Sequence, residues 1–180
     1  MPVYLAMLRG INVSGHKLIP MERLRASLAG QGFDAVRTYI QSGNIVFHAA
    51  RQSSDGLAKR IAGNIVDDFG FSVPVLIRTA AEMAAVTQGN PFLPAAGLDE
   101  SKLHVTFLAD TAPAAAEKTL AALAAKTEQF RVFGREVYLY LPDGYGNTKL
   151  SNSAIEKKLS VPATTRNWKT VTVLSAMTQP

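Results

Sequence analysis

The order of strand-like and helix-like segments in the first 77 residues constrains the fold more than any other feature of the chain. Four short segments rich in β-branched or aromatic residues predict strands at residues 3–8, 33–40, 45–48 and 73–77. Helical apolar spacing predicts one helix between the first two strands and another between the last two. The resulting order, βαββαβ, is the ferredoxin-like arrangement of an antiparallel sheet with two helices on one face.

Local signals mark the ends of these elements. Pro20 suits the start of the first helix, and Gly32 suits its end. The second helix is expected over about 55–69, and residues 41–44 are expected to form the tight turn of a hairpin. A short helix around 80–87 should follow the fourth strand.

The second half gives a less specific pattern. Residues 88–94 combine glycine and proline and predict a linker, which divides the chain into domains at 1–88 and 95–180. Strands are expected at 103–109, 130–133 and 136–141, with an alanine-rich helix over 113–126. Two closing helices are expected, one starting at a capping box formed by Ser153 and Glu156 and the other capped by Thr164 or Thr165. The predicted fold class is therefore α+β, with a ferredoxin-like amino-terminal half and a second, smaller α+β half.

Composition limits the chemistry and suggests the partner. The chain has 180 residues and no cysteine, which excludes disulfides, thiolate metal sites and cysteine nucleophiles. No secretory signal and no apolar segment of about 18 residues is visible, so a cytoplasmic location without membrane association is expected. The net charge of +5 favours an anionic partner, either a phosphate-bearing small molecule or nucleic acid.

The positive charge is concentrated near the end of the chain. Residues 147–171 contain five cations and one anion, Glu156. The cations are Lys149, Lys157, Lys158, Arg166 and Lys169. This segment is either a binding surface for an anion or simply a solvated helical face.

Several well-known sites are disfavoured by the residues present. Gly10 and Gly15 have the spacing of the two P-loop glycines, but the lysine and hydroxyl residue that should follow directly are missing. The segment at 3–8 resembles the short RNA-recognition signature, with Tyr4 in the base-stacking place, yet the longer signature is absent. The three histidines lack zinc-site spacing, and no serine-esterase elbow occurs. We therefore predict no metal and no cofactor.

Three longer segments are more specific than any of these motifs. They are Leu8–Gly15 (LRGINVSG), Thr38–Asn44 (TYIQSGN) and Pro162–Val171 (PATTRNWKTV), with KLSN at 149–152 between the last two. Together they resemble a widespread bacterial family known only as a domain of unknown function. The resemblance implies a ferredoxin-like first half and a second α+β half, and it implies no catalytic residue. Ser14 departs from the family pattern, which usually has glycine there.

The polar residues of these segments form the candidate ligand site, because they lie in turns or predicted helix starts and lack the apolar periodicity of a core. They are Arg9, Asn12, Tyr39, Gln41, Ser42, Asn44, Lys149, Asn152, Thr165, Arg166 and Asn167. If they converge, they form a cleft between the halves that suits a phosphate or carboxylate. The opposing interpretation is that these side chains cap helices and brace turns.

Two functions remain open at this point. The first is a binding module for an anionic ligand or nucleic acid, with Lys149, Arg166 and Lys169 as phosphate contacts. The second is an enzyme acting on a small phosphorylated or acyl substrate, with Tyr39 or His16 as proton carriers. No nucleophile and base can be paired from the sequence, so catalytic residues are unknown and the binding interpretation is favoured. Association through a sheet edge is a third possibility, and the sequence does not indicate the oligomeric state.

Overall fold

The computed structural model describes residues 1–180 and begins with a four-stranded antiparallel sheet. Its strands, β1 (Val3–Leu8), β2 (Asp34–Tyr39), β3 (Asn44–His48) and β4 (Val75–Thr79), lie in the order β2-β3-β1-β4. Helix α1 (Met21–Gly30) connects β1 to β2, and α2 (Ser54–Phe69) connects β3 to β4. This is the ferredoxin-like topology that the sequence predicts, and α3 (Ala80–Gln88) follows directly after β4.

The second sheet repeats the same topology. Its strands are β5 (Leu103–Leu108), β6 (Gln129–Phe133), β7 (Glu136–Tyr140) and β8 (Ala163–Asn167), in the order β6-β7-β5-β8. Helices α4 (Ala116–Ala121) and α5 (Asn152–Leu159) occupy the two connections, and α6 (Trp168–Thr178) follows β8. Short 3-10 turns lie at Glu100–Lys102 and Tyr145–Asn147. The order βαββαβα therefore occurs twice, and the α+β class is confirmed.

Internal contacts divide the chain into two compact units. Residues 1–85 and 174–180 form the first unit, and residues 86–173 form the second. None of the helices is long and apolar enough to cross a lipid bilayer.

Each sheet packs its helices against alternate residues of its strands. In the first unit, Tyr4, Ala6 and Leu8 of β1 lie in one cluster with Leu24 of α1 and Ile61 of α2. Tyr4 stacks on Phe47, with ring centroids 5.8 Å apart. Burial of each large apolar side chain stabilises such a core by about 1.5–3 kcal/mol. The second unit has the equivalent cluster, made of β5, β7 and β8 residues with α4 and α5.

Central-strand residues on the opposite face of each sheet are also buried. Leu5, Met7 and Val46 of the first sheet are fully buried, as are Val105 and Phe107 of the second. RNA-recognition modules need exposed aromatic residues on this face, whereas Tyr4 belongs to the helix-facing core. The central strands of the first sheet therefore do not present Tyr4 as a platform for stacked RNA bases.

Three local predictions in the second half are wrong. Residues 163–167 form β8, because the β-branched Thr164 and Thr165 pair with β5 instead of capping a helix. The last helix starts at Trp168. Ser151, not Ser153, caps α5, since its hydroxyl accepts from the amide of Ala154.

Two further predictions for this half also differ from the structure. The carboxylate of Glu156 accepts a hydrogen bond from the amide of Ala163 at 2.8 Å, so it joins α5 to β8. The alanine-rich helix is also shorter than predicted, with only Ala116–Ala121 helical. Between Ala121 and β6 the chain turns back to the sheet, and this tertiary requirement overrides the high helix propensity of alanine.

Gly43 is the position in the first unit that only glycine fits. Its φ is +87°, and a Cβ placed there would lie 2.7 Å from Cβ of Leu8 and 2.8 Å from Cδ1 of Ile11. The carbonyl of Gly43 also accepts from the amide of Leu8 at 2.7 Å. The turn between β2 and β3 thus packs directly on the end of β1.

We expect Gly43→Ala to lower the free energy of unfolding by about 2–4 kcal/mol, through the left-handed backbone and the steric overlap with Leu8 and Ile11. Chemical denaturation measures the change. Gly63→Ala is the matched control, because Gly63 is an exposed residue of α2 with open space around its Cβ position. That control should be neutral or stabilising by up to about 1 kcal/mol, and equal effects of the two substitutions would contradict the packing argument.

Candidate functional site

The candidate residues fall into two clusters, one in each unit. The amino-terminal cluster lies where β1 ends and β2 turns into β3, and it consists of Arg9, Asn12, Tyr39, Gln41, Ser42 and Asn44. The carboxy-terminal cluster belongs to the second unit and consists of Lys149, Asn152, Thr165, Arg166 and Asn167. The expected cleft between the halves stays a prediction.

Asn12 braces the loop that follows β1. Its Nδ2 donates to the carbonyl oxygens of Ile19 (3.1 Å) and Gln41 (2.7 Å), and its Oδ1 accepts from the amide of Ile19 at 2.8 Å. Asn12 has a φ of +53°, a conformation that asparagine tolerates better than most residues. One side chain therefore joins both ends of the loop to the β2–β3 turn.

Asn44 has the same role inside the hairpin turn. It is fully buried, and its Nδ2 donates to the carbonyl of Tyr39 and the hydroxyl of Ser42, each at 3.0 Å. Arg9 is half-buried, whereas the side chain of Gln41 is exposed. The polar residues of this cluster thus include two asparagines whose amides bond to the protein's own main chain.

In the carboxy-terminal cluster, Asn152 and Thr165 form a hydrogen-bonded pair between α5 and β8. The hydroxyl of Thr165 donates to Oδ1 of Asn152 at 3.0 Å, and Nδ2 of Asn152 donates to the carbonyl of Ala163 at 2.9 Å. The amide of Asn152 donates to the hydroxyl of Tyr145 at 2.8 Å. This network fixes the start of α5 against the first half of β8.

Arg166 is a buried cation, only 8% exposed. Its Nη1 donates to the hydroxyl of Thr164 at 2.6 Å and to the carbonyl of Thr165 at 3.1 Å. Burial lowers the pKa of Arg166 to about 10, so the guanidinium stays protonated at neutral pH. It contributes positive potential beneath the surface, and its role as a direct ligand contact stays a prediction.

The exposed residues of this region lie at the starts of α5 and α6. Asn167 caps α6, because its Oδ1 accepts from the amide of Thr170 at 2.9 Å. Lys149 precedes α5, and Lys169 is the second residue of α6; both are exposed. Neither lysine has an acidic group within 4.0 Å.

A cavity of about 500 Å³ opens beside the start of α6. It is lined by Glu100, Ser101, His104, Asn167, Trp168, Lys169 and Thr172. The β5–β8 pairing creates it, because His104 lies opposite Asn167 in the register and brings the 3-10 turn before β5 next to α6. Its size is within the range of small-molecule sites.

His104 is the titratable group that forms one wall of this cavity. It stacks on Tyr145 with ring centroids 5.1 Å apart, and its Nδ1 is buried without a well-aligned hydrogen-bond partner. Burial lowers the pKa of His104, and the nearby main chain of Lys102 opposes this only in part. The lowered pKa favours the uncharged imidazole at neutral pH.

Sequence analysis missed most of the residues that line this cavity. His104 looked like an ordinary sheet residue, and Glu100 and Ser101 belong to a turn without a motif. No group of three histidine, aspartate or glutamate side chains is placed to hold a metal ion.

We expect Asn12→Ala to lower the free energy of unfolding by about 1.5–3 kcal/mol, because it leaves the amide and carbonyl of Ile19 and the carbonyl of Gln41 without their partner. Thermal or chemical denaturation tests this. Gln41→Ala is the control, since Asn12 bonds to the main chain of Gln41 and not to its side chain. If Asn12→Ala is as stable as the control, Asn12 is not a brace.

His104 should make stability depend on pH. Because its folded-state pKa lies below the ordinary 6.5, the unfolded chain binds more protons just below pH 6.5, and acidification favours unfolding. The groups around it are Tyr145, Lys102 and the cavity residues Glu100 and Lys169. We expect the stability of the wild type relative to His104→Gln to fall between pH 7 and pH 5. A constant difference over that interval would show that burial does not shift this histidine.

Comparison with known proteins shows the fold and the family but no activity. The conserved bacterial protein SP0830 from Streptococcus pneumoniae has a similar structure, with a TM-score of 0.75 and 22% identity over 99% of both chains. No curated protein matches this sequence. The model of a family described as a protein of unknown function, DUF1697, matches residues 1–138, whereas the segment at 162–171 lies outside the match. The chain belongs to the DUF1697 family, as its resemblance to a family of unknown function predicted.

Proposed function

We propose that the protein is a binding module for a small phosphate-bearing anion, which it holds at the end of the second sheet where α5 and α6 begin. One observation carries the proposal: the first turns of both helices contain no acidic residue, and the exposed Lys169 of α6 lines an open cavity. Main-chain amides at helix starts are not all paired within the helix, and the helix dipole adds positive potential there.

The first unit provides an internal comparison, because the same topology places the starts of α2 and α3 at the equivalent end of the first sheet. There, the first turns contain Asp55 and Glu82. Glu82 accepts from the amide of Thr79 at 2.7 Å, and the hydroxyl of Thr79 accepts from the amide of Glu82 at 3.2 Å. This capping box supplies the negative charge from within the chain.

The corresponding positions of the second unit lack that charge. Counted from the capping residue, Glu82 of α3 corresponds to Thr170 of α6, and Ala81 corresponds to Lys169. An external anion can therefore take the place that a carboxylate fills in the first unit. Buried Arg166 adds to the positive potential from beneath.

Nucleic acid and a reactive substrate are the alternatives. The buried sheet faces leave no platform for stacked bases, so nucleic acid would have to bind through the phosphate backbone alone. An enzyme acting on a small phosphorylated or acyl substrate would use the same cavity, with His104 as the available proton carrier. Chemical change of a bound phosphate ester would distinguish the enzyme from the binding module.

The proposed function is tested by comparing lysines near the helix starts with lysines elsewhere on the same surface. We expect ¹⁵N NMR titration with inorganic phosphate at low salt to shift the amide signals at the starts of α5 and α6. Substitution of both Lys149 and Lys169 by alanine should weaken binding about tenfold or more, because two charge-assisted contacts are lost. Substitution of both Lys157 and Lys158 is the matched control, since these exposed lysines lie in the last turn of α5.

The control pair should retain nearly wild-type affinity at a fixed salt concentration. Equal weakening by both pairs would mean that the chain attracts anions only through its net charge. Absence of any phosphate-induced shift in the wild type would overturn the proposed function. Tighter binding of a single-stranded oligonucleotide than of phosphate, with many dispersed shifts, would favour nucleic acid as the partner.

A further inference from the structure

The loop after β1 forms a small hairpin at the end of the first sheet. The amide of His16 donates to the carbonyl of Val13 at 2.9 Å, and the amide of Asn12 donates to the carbonyl of Lys17 at 3.1 Å. The two residues at the tip have φ values of +50° and +76°, as a type I′ hairpin turn requires. We call residues 12–18 the β1 hairpin, and all of them except Asn12 are exposed.

The β1 hairpin and the neighbouring β2–β3 turn expose aliphatic side chains. Val13, Leu18 and Ile40 are 58%, 62% and 49% exposed. The two segments are joined where Nδ2 of Asn12 donates to the carbonyl of Gln41 at 2.7 Å. Ile40 also has a φ of +50°, which is unfavourable for a β-branched residue. Exposed aliphatic side chains grouped in this way are typical of an interaction surface.

The end of α2 lies beside the β1 hairpin, at the same end of the unit. Nζ of Lys17 donates to the carbonyl of Ser72, three residues after α2 ends, at 2.9 Å. The last turn of this helix, which we call the α2 end (residues 66–69), exposes the side chains of Val66 and Asp67. The two segments therefore contribute aliphatic side chains to one surface.

The charges of the two segments are opposite. Lys17 is an exposed cation of the β1 hairpin, and residues 1–21 contain no acidic side chain. At the α2 end, Asp68 accepts from the hydroxyl of Ser27, whereas Asp67 has no cation within 4.0 Å. A carboxylate at the C-terminal end of a helix is electrostatically unfavourable, so an external cation would stabilise Asp67.

We infer that this end of the first unit is a self-association surface, on which the β1 hairpin of one copy packs against the α2 end of a second copy. A twofold axis makes the contact twice, because each copy offers both a basic hairpin and an acidic helix end. The aliphatic side chains of both segments are then buried, and Lys17 of each copy approaches Asp67 of the other.

Pairing through sheet edges is the other route to a dimer, and the strands β6 and β2 at two of these edges are obstructed. In β6, the amide of Val132 donates to the carboxylate of Glu117 at 3.2 Å, and the carbonyl of Phe130 accepts from Arg131 at 2.7 Å. In β2, a register shift interrupts the pairing with β3. Such features hinder the addition of another strand, which favours the loop end of the first unit as the contact.

Sedimentation equilibrium of the full-length protein tests this inference. We expect a dimer fraction that rises between about 1 µM and about 1 mM, because the surface is small. The double substitution of Val13→Ser with Leu18→Ser should weaken dimerisation about tenfold or more, since apolar burial is lost. Phe133→Ser is the matched control, because it removes an exposed apolar side chain from the second unit, and it should have little effect.

A charge exchange separates direct pairing from an indirect effect on folding. Lys17→Glu and Asp67→Lys should each give monomers, because like charges would face each other across the twofold axis. An equimolar mixture of the two variants should restore dimers, since each variant then supplies the charge that the other lacks. A substitution that only disturbs the hairpin could not be rescued in this way.

Three results would contradict the inference. The first is a wild type that stays monomeric at about 1 mM, and the second is equal weakening by Phe133→Ser. The third is a mixture that restores no dimers although circular dichroism shows both charge variants to be folded. If the monomeric wild type instead sediments with vesicles of phosphatidylglycerol and phosphatidylcholine, the surface binds lipid and a second copy is the wrong partner.

Discussion

Burial of both faces of the central strands in each sheet is the constraint on which the rest of the structure depends. Leu5 and Met7 of β1 alternate with Tyr4, Ala6 and Leu8, so the strand is apolar on both sides and nearly solvent-free. Strands buried on both faces offer no surface to a ligand, which favours strand ends, connecting loops and helix starts as binding positions. The polar motifs of the chain occur in those places because no polar side chain can occupy the sheet faces without internal partners.

Two buried arginines, one in each unit, show how strictly the topology is repeated. Arg78 pairs in register with Leu5, and Arg166 pairs with Val105, so the two arginines hold equivalent positions next to the end of the fourth strand of each unit. Each donates to the carbonyl of the residue before it, and each precedes the residue that caps the next helix. The units therefore share the buried cation and differ at the exposed helix start. Residues at the exposed helix start can change, and function with them, without a loss of packing in the core.

The sequence predicted the first unit well, because each strand there is a short apolar run bounded by glycine, proline or a polar turn. It failed at β8, where Thr164 and Arg166 look polar and are buried only through partners from distant parts of the fold. Because β8 was not predicted, the cavity was not predicted either. His104 and Asn167 are 63 positions apart in sequence and become neighbours only through the β5–β8 pairing, so no local pattern could have joined them.

Polar residues in a recurrent motif can be braces or contacts, and burial separates the two. Three asparagines act as braces. The side-chain amides of Asn12, Asn44 and Asn152 donate hydrogen bonds to main-chain carbonyls of the protein itself. Lys149 and Lys169 form no ion pair with another residue of the chain. Their positions near helix starts do not stabilise the helices, because a cation is electrostatically unfavourable there. We propose that a bound anion compensates for this unfavourable position.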